Sequence, residues 1–213
     1  MAVLNSLDWA SVRRHYDERH KVHLYLCDLH QRGAVHEFSS IALGITNPDG
    51  NYSAAEHGLG PKIIGTNVDA ENKVFNLADN FVTLDSARSV PDLVRRAGLK
   101  YLQIGVGSEI SCMVNPNVCW VANTRTIWTH LVIKHADSIA KADVELALYR
   151  EADVTSEMAY QMWSAIHAEL GVALTRIAEI GQQLAAKAEV FPGEITFLWA
   201  DAIASQLYNI HHR

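Results

Sequence analysis

Eleven histidines stand in a chain of 213 residues, against roughly five at average usage. Histidine is the commonest metal ligand and titrates nearest neutral pH, so the surplus points to metal, cofactor or acid–base chemistry. His20, His23, Cys27 and His30 are spaced by three, four and three residues, which places them along one side of a helix. Such a stripe offers imidazole and thiolate to a transition metal or to haem iron. Its length limits it: at 1.5 Å per residue His20 and His30 lie about 15 Å apart. One ion would therefore be shared by neighbours such as His23 and Cys27, with further ligands from elsewhere in the fold. Asp17, one turn before His20, is spaced to orient an imidazole. The alternative is a semi-polar boundary between core and solvent, where His and Cys are ordinary occupants.

A second pair is Arg125 and His130, suited to holding an anionic group and to moving a proton. Arg125-Thr126-Ile127-Trp128-Thr129-His130 resembles the Arg-x4-His motif of the HEPN ribonucleases, a family of all-α domains. The resemblance covers six residues. It implies metal-independent RNA cleavage, with Arg125 stabilising phosphate charge, His130 moving protons and sites paired across a dimer. Five residues turn a helix by about 140°, so within one straight helix the two side chains do not meet. A third candidate is His57, between Glu56 and Gly58, which a loop would deliver to a site.

The elements that must position these residues read as helices. The spacing predicts one from Trp9 to Arg32, stopped by Gly33, with Val22, Tyr25, Leu26 and Leu29 as its core stripe. The residues from Val118 to His135 read as the most buried helix, starting near Asn123 or Thr124, and Ile139 to Tyr149 as another. A long helix capped by Asp153 or Thr155 reaches Lys187, with Trp163, Ile166, Leu170, Ala173, Ile177, Ile180 and Leu184 as a bundle seam and His167 beside it. Ile195 to Ile210 closes the chain. Between lie a helix over Asn72 to Leu84 and one capped by Ser89 and ended by Gly98.

Residues 34–78 break this period. Ile41, Leu43 and Ile45 alternate as in a short strand, Lys62 to Gly65 reads as a second, and Asn47-Pro48-Asp49-Gly50-Asn51 is a turn. The expectation is a mainly α multi-helix bundle of six to eight helices in a single domain over 1–213, with 34–78 an irregular or β-hairpin-containing insertion or lid in the N-terminal third. Gly105-Val106-Gly107 lacks the third glycine of a dinucleotide fingerprint, so close backbone packing accounts for it better. Glu109 reads either as a buried carboxylate or as a first-turn acid.

Composition narrows the classes. Hydrophobic residues are 49% and charged residues 20%, which is globular. The formal charge of -6 gives no reason to expect DNA or an anionic membrane, and RNA enters only through the Arg125/His130 reading. Cys27, Cys112 and Cys119 fit a reduced cytoplasmic setting. No Glu-x-x-His pair, His-Glu-x-x-His, Gly-x-Ser-x-Gly or P-loop occurs, which removes the site types those motifs mark. Three functions remain as expectations. The first is a metal- or haem-dependent enzyme or binding protein for a small, anionic molecule. The second is an RNase using Arg125 and His130, and the third a non-catalytic helical interaction module. The broad apolar faces and five Trp suit a homodimer.

Overall fold

The structure, a computed structural model, describes residues 1–151 and 156–212. Among these the chain is mainly helical, and no strand is present. The α-helices are α1 (Trp9–Gln31), α2 (Val35–Ala42), α3 (Tyr52–Glu56), α4 (Leu59–Thr66), α5 (Ala70–Val82), α6 (Val90–Ala97), α7 (Ile104–Val114), α8 (Thr124–Lys134), α9 (Ile139–Glu151), α10 (Glu157–Lys187) and α11 (Thr196–His211). No helix among the described residues is long and apolar enough to cross a membrane. The chain packs as two compact units, one built from 18–123 and the other from 1–17 with 124–213.

The hairpin expected within 34–78 is replaced by helices. Ile41 lies in α2 with Phe38 and Ala42, and these three are buried on one face, at the i, i+3, i+4 spacing of a helix. Leu43 is its buried C-cap residue, while Ile45 is exposed. Lys62 to Gly65 lies inside α4. These helices have five to eight residues, too few for periodicity to outweigh three alternating aliphatics. The Asn47 to Asn51 segment forms a 3-10 turn over Pro48–Gly50, capped by the Asn47 side chain.

In the 18–123 unit, α7 is buried over almost its whole length. Gly107 is required there, because a Cβ would lie 2.2 Å from Val94 Cγ2 of α6. Glu109, two residues on, is a wholly buried carboxylate. It accepts hydrogen bonds from the Tyr52 N–H at 2.8 Å, the Ser53 N–H at 2.9 Å, the Ser53 hydroxyl at 2.7 Å and Asn123 Nδ2 at 2.9 Å. The Arg19 guanidinium, also 0% exposed, lies 3.6 Å away. It donates to the Asp49 carbonyl and sits over the Tyr52 ring. Asn51 accepts from the Ala54 N–H and donates to the Ala42 and Val106 carbonyls, which ties α2, α3 and α7 together.

In the other unit, α10 and α11 pack closely. The face that α10 buries is Ile166, His167, Leu170, Gly171, Leu174, Ile177, Ala178, Gly181 and Ala185. Trp163, Ala173, Ile180 and Leu184 of the expected seam lie at its half-buried edges. Small residues set this rotation: a Cβ on Gly181 would stand 2.3 Å from Ile203 Cδ1. The first turn of α10 is capped by Ser156, which accepts from the Ala159 N–H. Asp153 and Thr155, expected in that role, lie outside the described residues. Trp199 packs against Trp9 and Tyr16, and the Tyr16 hydroxyl accepts from the Glu194 and Ile195 N–H groups.

Two outcomes follow for stability. Glu109→Ala leaves Arg19 buried without its carboxylate and should cost about 3–5 kcal/mol in urea unfolding; a loss below about 1 kcal/mol would show that the network does not hold the unit. Burial pushes the His167 imidazole down from 6.5 to about 4. The unfolded chain then takes up this proton first, so stability is full above about pH 6.5 and falls by about 3 kcal/mol as pH drops toward 4. His167→Gln should flatten that slope, and an unchanged slope would refute the assignment.

Candidate functional site

The α1 stripe is half-buried at all four positions. The His23 Nδ1–H donates to the Met113 carbonyl at 2.7 Å, Cys27 Sγ lies 3.6 Å from the same nitrogen, and the His20 and His23 rings stack at 6.0 Å. Burial pushes His23 down and the Cys27 thiol up. His30 stacks on Phe75 at 4.9 Å, and its Nε2 meets Asp79 at 2.7 Å. The stripe brings His20, His23 and Cys27 together and turns His30 to a separate aromatic patch. No group of three or more His, Cys, Asp or Glu among the described residues is placed to hold a metal ion. Tyr25, expected in the core stripe, is exposed and donates to Glu37. His57 is the exposed C-cap residue of α3.

Arg125 and His130 are both half-buried on α8, which is continuous between them. They therefore stand about 7.5 Å apart along the axis and on different sides. His130 Nε2 lies 3.5 Å from the Glu169 carboxylate of α10. Burial pushes the His130 imidazole below 6.5, with Glu169 pulling the other way.

One turn further along α8, Lys134 donates to Glu145 Oε1 at 2.7 Å, and His135 Nε2 meets Glu145 Oε2 at 2.7 Å. The Lys134 bond holds Glu145 below the usual carboxylate range and Lys134 above its own. Tyr149, a turn beyond Glu145 on α9, packs edge-on against Trp163, and burial raises its phenol. The turn joining α8 to α9 is tight. Ala136 and Asp137 are both left-handed, and the Asp137 N–H reaches back to the Val132 carbonyl at 2.8 Å, which satisfies the end of α8.

Beside these groups lies an open groove of about 610 Å³, lined by His135, Ala140, Lys141, Val144, Glu145 and Leu148. α9 carries two apolar faces. Ala142 and Leu146 are buried, while Ala140, Val144 and Leu148, on the opposite side, are exposed. Val144 is 75% and Leu148 62% exposed. This groove is what the reading of the sequence passed over. The signal was the i, i+4, i+8 run of Ala140, Val144 and Leu148 opposite a second apolar run on the same helix.

The arrangement can do two things chemically. The Ala140, Val144 and Leu148 face, edged by charges of both signs, suits an apolar ligand surface with a polar rim. The His130–Glu169 pair can carry a proton at a histidine that stays neutral near pH 7. No family model, no curated protein and no solved structure matches the chain.

Proposed function

We propose that the chain is a helical binding protein whose working surface is the α8–α9 groove. The observation that carries this reading is the outward run of Ala140, Val144 and Leu148, with two large aliphatic side chains left in solvent one turn apart. Scattered apolar residues need no explanation on a protein surface, whereas a run along one helix, rimmed by Lys141, Glu145 and His135, has the form of a seat for a second helix. An amphipathic helix would lay its apolar face along α9 and meet the charges at the rim. A displayed library of amphipathic helical peptides should yield binders that protect α9 from hydrogen exchange. Leu148→Asp should weaken them at least tenfold, because burying one leucine is worth about 1.5–3 kcal/mol. Binders that ignore Leu148→Asp, or a library that yields none, would sink the reading.

The His130–Glu169 pair favours a second reading, cleavage of RNA. His130 would take the proton of the attacking 2′-hydroxyl and return one to the leaving 5′-oxygen, Glu169 would orient the ring, and Arg125 of a second copy would face the phosphate, since the two side chains of one chain lie on different sides of α8. His130→Ala should lower cleavage of a fluorogenic RNA by at least about 100-fold. The acid limb of the wild-type rate profile should lie below the ordinary histidine value of 6.5. Equal rates in wild type, Arg125→Ala and His130→Ala would end this reading.

A further inference from the structure

We infer that the helix seated on α9 is α9 of a second copy of this chain, antiparallel to the first about a two-fold axis at Val144. This names the partner for the binding surface proposed above and rests on that reading. In an antiparallel pair centred on Val144, residues four positions to either side stand at the same level, about 6 Å from the axis. Ala140 then faces Leu148 of the second copy, and Leu148 faces Ala140. The large side chain meets the small one twice, and Val144 meets its own image between them.

The charges follow the same two-fold pattern. Lys141 is level with Glu145 of the second copy to within about 3 Å along the axis. Glu145 already accepts from Lys134 and His135 on its own chain, and its oxygens have lone pairs for a third donor. A parallel pair would instead set Lys141 on Lys141 and Leu148 on Leu148, with like charges opposed. One surface that is complementary to itself is what a two-fold dimer requires. Three residues on each side with their rim make a small interface, so the dimer should be weak, with a Kd on the order of 10–100 µM.

Sedimentation equilibrium of the full chain across that range tests this. Wild type should show a monomer–dimer equilibrium, and Leu148→Asp, with an unchanged circular dichroism spectrum, should remain monomeric. Val144→Cys should form a covalent dimer under mild oxidation at least about tenfold faster than Met158→Cys, whose side chain is also exposed but lies off α9. A wild-type chain that stays monomeric overturns the inference. So does a dimer that survives Leu148→Asp, or a Val144→Cys cross-link no faster than the Met158→Cys control. If the chain is monomeric while library peptides still bind α9 and lose to Leu148→Asp, the binding surface stands and only the second copy is wrong.

Discussion

A carboxylate cannot stay ionised in a protein interior unless donors replace the water it has lost. Glu109 meets that demand with two backbone amides, a hydroxyl, a side-chain amide and the Arg19 guanidinium. Each donor comes from a different level of the structure. Arg19 comes from α1, Tyr52 and Ser53 from the first turn of α3, and Asn123 from the residue before α8. Glu109, with the Asn51 cap that accepts from the Ala54 N–H, thus fixes where a five-residue helix begins, although a helix that short has no stability of its own. The ring of Tyr52, set over the Arg19 guanidinium, adds a cation–π contact to the same group. The short helices α2 and α3 take their places from this network and from Asn51 beside it, which donates to the Ala42 carbonyl and accepts from the Ala54 N–H.

The 1–17 and 124–213 unit is held in another way. Its helices approach through small residues: Gly171, Ala178, Gly181 and Ala185 let α10 lie close to its neighbours. Aromatic side chains fill what remains. Trp128 donates from Nε1 to Asp143 at 2.7 Å and packs edge-on against Tyr208. Close packing fills this interior, and on one outer face His130 and Lys134 of α8, with His135 just after it, stand against carboxylates of α9 and α10. A face that carries both these ion pairs and an open apolar run differs from the rest of the unit in kind.

Much of the helical architecture was legible in the sequence, and the reasons are physical. α1 ends at Gln31 before left-handed Gly33, and α6 has Pro91 in its first turn and left-handed Gly98 at its end. Those residues act on the backbone where they stand. The region 34–78 was misread because Ile41, Leu43 and Ile45 alternate while the true helix there is only two turns long. The α10 seam was misplaced by part of a turn, since the pattern rewards large residues whereas the close approach needed glycine and alanine. For Glu109 both environments had been open, because its hydrogen-bond donors from α3 and Asn123 lie 14 to 57 residues away in sequence and Arg19 lies further still. The α9 run went unread because its buried and exposed apolar faces cancel any single moment.

The division of the chain sets an order of assembly. Residues 18–123 form one unit from a continuous segment, so every bond to Glu109 can close locally as that segment is made. The other unit needs residues 1–17 to find 124–213 across the whole of that segment. Closing a loop of about 100 residues costs about 2 kcal/mol more than closing one of ten, if the intervening chain is unfolded. Trp9 and Tyr16, at the start of the chain, find Trp199 only once α11 has been made, so the divided unit closes last and the first turns of α1 must wait for α11 to emerge.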